Sequence, residues 1–215
     1  MPARCDAKAA AMPDSTPEPR PGCFLQPLGP MPRAGTPAQQ IALQDRAWTM
    51  LERYETPSGR PGTRLSNAWL GAQGWRVQMV DHFSLWKEEF VAPLNAAARR
   101  RGHEFLLGTV VQPGVLRVSA AWHVAADPDP TSRFFEAHEA GFHMLFPEDL
   151  SFAIHANDGD YAVYAGPEDF LRQALQPEAI GAAATAEVVE EIEEEHGEGA
   201  IDGILAHYAP FMLDR

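Results

Sequence analysis

Apolar residues first fall into a helical rhythm after Pro37. Ile41, Ala47, Trp48, Leu51 and Tyr54 lie near a 3.6-residue period, Thr36 is placed to cap and Pro37 suits a first turn, so the spacing predicts a helix over 38–55. Thr56 to Arg64, with two prolines and two glycines, then reads as a connector. Leu65 to His82 fits neither helical nor strand periodicity well and is read as a short helix followed by a strand near 75–80. Ser84 is expected to cap the next helix, whose apolar positions are Leu85, Trp86, Phe90, Leu94 and Ala98. Pro93 either kinks this helix or starts a second segment, and Gly102 ends it.

Two hairpins are expected downstream. Phe105–Val111 and Val115–Val124 are rich in β-branched and apolar residues and flank Gln112-Pro113-Gly114, which is turn chemistry. Asp127-Pro128-Asp129-Pro130 breaks that pattern, and Thr131 or Ser132 is expected to open a helix running to about Leu145. The second hairpin joins Ser151–Ala156 to Tyr161–Ala165 through Asn157-Asp158-Gly159-Asp160, with Asp-Gly supplying the positive-φ positions. In the expected register Ala156 faces Tyr161, Ile154 faces Val163 and His155 faces Ala162, which puts Phe152, Ile154, Val163 and Ala165 on one face. Further helices are predicted from Pro167 to about Leu175, over 185–196 and over 200–209. Hairpins separated by single helices predict an α+β fold: an antiparallel sheet built from two β-hairpins, helices packed on one face and a helical C-terminal extension.

Residues 1–37 hold 9 of the 19 prolines and lack apolar periodicity, so they read as a disordered Pro-rich leader. The expected organisation is this leader, an α+β domain over 38–180 and an acidic helical extension of the same domain over 181–215. No run of apolar residues is long enough to cross a bilayer and no secretory signal is evident, so a cytoplasmic protein without membrane contact is expected. Cys5 and Cys23 match no metal or redox spacing. The basic residues are 15 Arg and only 2 Lys, a bias that suggests GC-rich bacterial coding.

Charge changes the picture most. The chain carries 17 basic and 30 acidic side chains, a net −13. Residues 1–150 contribute −1 and residues 151–215 contribute −12. Such acidity disfavours nucleic acid and anionic membranes as partners. Glu187/Glu191, Glu190/Glu194, Glu191/Glu195 and Glu194/Glu198 are i, i+4 like-charge pairs, together costing a helix on the order of 1 to 2 kcal/mol. Three readings account for them: a solvated face held by Val188, Val189 and Ile192; a surface for a basic partner; or pairing, within or between subunits, with Arg99, Arg100 and Arg101 at the end of the earlier helix.

Motif chemistry is sparse. His138 and His143 are five apart and diverge by about 140° on a helix, so they do not form the His-Glu-x-x-His arrangement, which needs i, i+4. Phe135, His138, Phe142 and Leu145 form a stripe on the expected helix, placing His138 at the core edge. On its other face Glu136, Glu139 and His143 sit at i, i+3, i+7 and offer two carboxylates and an imidazole to a metal. No phosphate loop, dinucleotide fingerprint or nucleophile elbow occurs, although a triad assembled from distant residues stays open. The sequence therefore points to a non-enzymatic binding protein, inhibitor-like or chaperone-like, with no cofactor. It is expected to engage a basic protein through Glu187, Glu190, Glu191, Glu194, Glu195 and Glu198. The Phe211-Met212-Leu213 tail makes a homodimer plausible. The alternative is a metal-dependent hydrolase using Glu136, Glu139 and His143.

Overall fold

The structure is a computed structural model and describes residues 31–56, 61–113, 120–138, 141–157 and 160–214. Most of the expected leader and the Asp158-Gly159 pair of the expected turn lie outside them. The chain opens with α1 (Pro37–Thr49), where Thr36 and Gln39 form a capping box: the Gln39 amide donates to Thr36 Oγ1 and the Thr36 amide to Gln39 Oε1, at 3.3 and 2.8 Å. This helix stops short of the expected Tyr54. Leu51–Glu55 is instead a strand, β1, paired antiparallel with β2 (Pro61–Leu65) as a separate two-stranded sheet. Pro61 at the first position of an edge strand sacrifices no ladder donor, and Gly62 leaves room for Tyr54, whose ring would lie 2.5 Å from a Cβ there. Pro61 and Gly62, which read as part of a connector, are residues that this hairpin accommodates, while residues 57–60 lie outside the described ones.

Next come α2 (Asn67–Gln73), β3 (Arg76–Asp81), a 3-10 turn at Phe83–Trp86 and α3 (Glu88–Arg100), which contains Pro93. Ser84 does not cap α3. Asp81 accepts from the amides of Phe83 and Ser84 and from the Ser84 hydroxyl, and α3 begins after Lys87. Strands β4 (Phe105–Val110) and β5 (Ala121–Ala125) form the expected antiparallel pair.

The helix expected to reach Leu145 is cut short. Helix α4 (Pro128–Glu136) starts earlier, because prolines fit a first turn whose amides need no partner, and ends at Glu136. Phe142–Phe146 is a buried strand, β6, so the stripe through Phe135, His138, Phe142 and Leu145 spans two elements. Strands β7 (Ala153–Asn157) and β8 (Tyr161–Gly166) complete the sheet. They are followed by α5 (Glu168–Ala174), α6 (Ala182–His196) and α7 (Asp202–Tyr208).

The six strands run β3-β8-β7-β6-β4-β5, antiparallel throughout. The α+β class, the antiparallel sheet and the C-terminal helices agree with expectation. The second hairpin is shifted by one residue from its expected register: Asn157 faces Tyr161, Ala156 faces Ala162, His155 faces Val163 and Ile154 faces Tyr164. Ile154 and Val163 thus occupy opposite faces. One layer, from α3, α4 and α5, packs on Leu106, Leu145, Ile154, Ala162 and Tyr164. The other, from α1, α2, α6, α7 and the small hairpin, packs on Leu107, Met144, Phe146, Val163 and Ala165. Helices therefore cover both faces rather than one, which is why β6 and β8 are apolar almost throughout.

The last residues of the chain tie this second layer together and to the sheet. The Leu65 amide donates to Tyr208 Oη at 2.9 Å, and the Leu213 amide donates to Val77 O at 2.8 Å. Phe211 and Met212 pack against the chain's own core, and Leu213 is buried. At the opposite edge, Ala34 N–H donates to Ala121 O and His123 N–H to Pro32 O, so residues 32–34 run along β5.

Candidate functional site

The acidic segment forms the regular helix α6 along β3, with Val188 and Ile192 buried beneath it. Its start is held by Gln78 of β3: the Gly181 amide donates to Gln78 Oε1 at 2.8 Å, and Gln78 Nε2 donates to Thr185 Oγ1 at 3.0 Å. This fixes which side of the helix faces outward. Glu187, Glu190, Glu191, Glu194, Glu195 and Glu198 are all exposed, and none forms an ion pair among the described residues. Glu193 differs, since its Oε1 accepts the Gly199 amide at 2.8 Å and closes the helix end. Partial burial raises the affinity of the Glu191 carboxylate for its proton. Repulsion from Asp81, Glu187 and Glu194 adds to this, and Lys87 opposes it.

The arginine turn does not serve this helix. Arg99 pairs with Asp127, Arg101 with Asp169 at 2.8 Å, and Arg100 donates to Gln173. Intramolecular pairing of Arg99–Arg101 with α6 is therefore not how the glutamate charge is balanced. Two residues beyond Asp81, Phe83 is 52% exposed, its ring edge-on to Trp86 at 4.8 Å. Large exposed apolar side chains are otherwise confined, among the described residues, to Phe105. Periodicity could not reveal this exposed aromatic, because its exposure depends on the turn that Asp81 caps.

The residues of the hydrolase alternative are not brought together. Glu136 is exposed at the end of α4, His143 is buried in β6, and Glu139 lies outside the described residues. The helix face that was to align them does not exist. Among the described residues no three His, Cys, Asp or Glu side chains converge in an arrangement able to hold a metal ion.

A long-range neighbourhood does unite a serine, a histidine and an aspartate. Ser151 Oγ lies 3.4 Å from His103 Nε2, and Asp149 Oδ2 lies 3.7 Å from the same nitrogen. A catalytic triad needs the acid on the opposite ring nitrogen to the nucleophile, where it fixes the tautomer. Both contacts fall on Nε2, so this trio lacks the relay geometry.

The interior holds a histidine cluster that periodicity could not reveal, because its members come from separate elements. His143 lies between His82 and His138, with ring centroids 5.6 and 5.7 Å away, against Phe134 and Phe135. His138 stacks at a tilt on Trp122 at 4.7 Å. Burial holds His138 below its ordinary proton affinity and His143 well below it, and for His143 the neighbouring imidazoles add repulsion. Each Nδ1 faces a backbone carbonyl, Phe134 O at 2.8 Å for His138 and Gly141 O at 3.3 Å for His143. Their Nε2 atoms are buried and find no partner among the described residues, a penalty of about 1 to 3 kcal/mol each. On the other side of the sheet, burial lowers His155 to about 3, with Nε2 3.1 Å from Thr63 Oγ1.

Comparison of the chain with protein-family models, with curated proteins and with solved structures finds no match. Among the described residues no helix is long and apolar enough to cross a membrane.

Proposed function

We propose that the protein is a non-enzymatic binding module, inhibitor-like or adaptor-like, that captures a basic protein partner on the outer face of α6. The observation that carries this reading is the set of six exposed glutamates that form no ion pair among the described residues, on a helix whose orientation is pinned by buried bonds from Gln78. A helix with four repulsive i, i+4 pairs gains stability when a cationic surface meets it, and its field accelerates encounter. Phe83, exposed on the turn between Asp81 and Lys87, both of which act on the Glu191 charge, supports the reading as an apolar anchor, since interfaces draw most of their affinity from buried aromatic contacts and their specificity from the surrounding charges.

The test is a chain carrying Glu190→Lys, Glu191→Lys, Glu194→Lys and Glu195→Lys, and a second carrying Phe83→Ser. Both are expected to keep the parent's circular dichroism. The quadruple variant should lose basic partners that cross-link to α6 in the parent, and Phe83→Ser should weaken the same partners. Equal recovery of those partners by all three chains would overturn the reading.

A further inference from the structure

We infer that the outer edge of β5 is a docking site for an extended basic segment of a partner protein, which adds to the six-stranded sheet as a further strand. The edge already takes one such segment, from its own chain. In an antiparallel sheet every second residue of an edge strand turns its N–H and C=O outward. On β5 these are Ala121, His123 and Ala125, since Ala121 O and the His123 amide are the groups that residues 32–34 reach. The Ala34 amide donates to Ala121 O at 2.9 Å and the His123 amide donates to Pro32 O at 3.0 Å. Between them Arg33 lays its guanidinium over the Trp122 ring at 4.8 Å, and the Ala34 side chain is buried.

This resident segment uses the edge incompletely. Opposite His123 stands Pro32, which has no N–H to give to His123 O, so a strand with any other residue there gains a bond that residues 32–34 cannot make. Phe105 lies at the same end of the sheet. It faces Ala125, is 54% exposed, and its ring stands edge-on to His123 at 6.3 Å. Facing residues of neighbouring strands share a side of the sheet. An incoming residue opposite Ala125 therefore projects beside Phe105 and His123 with only the Ala125 methyl between, and a large apolar side chain there covers Phe105. The occupant reads, from its N-terminus, as a large apolar residue opposite Ala125, any residue opposite Val124, a residue other than proline opposite His123, arginine over Trp122 and a small residue opposite Ala121. Arginine suits the fourth place because its planar guanidinium stacks on an indole, and a net charge of −13 favours a basic segment over an acidic one. Residues 32–34 hold the place until a partner displaces them. Because α6 runs along β3, at the other edge of the sheet, this site stands independently of the surface proposed above.

The experiment titrates the peptide acetyl-Phe-Thr-Val-Arg-Ala-Thr-amide into the full chain and follows backbone amides by NMR. The expected result is saturable shifts at Phe105, His123 and Ala125, with slowed hydrogen exchange at the Ala125 amide. Proline in place of the peptide's valine should weaken binding about tenfold, the effect of one stranded backbone acceptor, and glutamate in place of its arginine should abolish it. Arg33→Ala loosens the resident segment and should tighten binding of the parent peptide about two- to fivefold, whereas Phe105→Ser should weaken it without changing the circular dichroism. No binding to the Arg33→Ala chain, equal affinity for the proline peptide, or shifts that miss β5 would overturn the inference. Protection of β5 that grows with protein concentration before any peptide is added would assign the edge to a second copy of this chain, and overturns it as well.

Discussion

Gln78 and Thr185 are joined by a buried side-chain hydrogen bond of 3.0 Å that ties the edge strand β3 to the start of α6. The same glutamine accepts the Gly181 amide, so a single side chain replaces the N-cap that α6 lacks. Gln78→Leu strands the Gly181 amide and the Thr185 hydroxyl in the interior and is expected to lower stability by about 2 kcal/mol. Urea unfolding measures this. Adding Thr185→Val should recover part of the loss, because removing both partners is cheaper than removing one.

Gly108 sits beneath Phe134 with no space for a side chain: a Cβ there would lie 2.4 Å from Cε2 of the ring. Gly108→Ala is expected to cost about 1 to 3 kcal/mol through overpacking. A double-mutant cycle with Phe134→Leu checks the cause. The alanine should cost less in the Phe134→Leu background, and an unchanged cost would place the strain elsewhere.

These two positions show what the sequence could and could not reveal. Pairing of β4 with β5, α5 and the C-terminal helices were legible because turn residues, a proline at the start of α5 and a helical period over the last helices marked them. The fate of Phe142–Phe146 was not, because a strand buried on both faces has no alternation, and its apolar residues fell by coincidence on the period of the preceding helix. The same two-sided burial removed the polarity contrast that would have set the register of His155 against Val163. The acidic face was legible residue by residue. Phe83 and the histidine cluster were not, since both arise from contacts between distant segments.

His155 makes the fold acid-sensitive. Its folded form resists protonation down to about 3, whereas in the unfolded chain histidine titrates near 6.5. Below about pH 6.5 the unfolded state therefore binds a proton that the folded state refuses. Stability is full above that pH and falls as pH drops, by up to about 1.4 kcal/mol per unit for this residue. Urea midpoints recorded from about pH 7 to about pH 5 should decline, and the decline should be shallower in His155→Gln.

Residues 32–34 protect the exposed edge of β5, with Arg33 lying over the Trp122 ring at 4.8 Å. A chain lacking residues 1–34 keeps the Thr36 cap of α1 but bares Ala121 O and the His123 amide. Unpaired strand edges recruit other chains. Light scattering should show concentration-dependent association of the shortened protein, and monodisperse behaviour at every concentration would show that the edge is protected by other means.

The lower helical layer is recruited from two distant stretches, α1 and α2 on one side of the sheet-forming sequence and α6 and α7 on the other. A ribosome delivers these in order. The strand surface bearing Met144, Val163 and Ala165 is therefore complete before Val188, Ile192 and Ile204 exist to shelter it. Every newborn molecule passes through an interval with one wet, sticky side, which closes when Tyr208 arrives to receive the Leu65 amide.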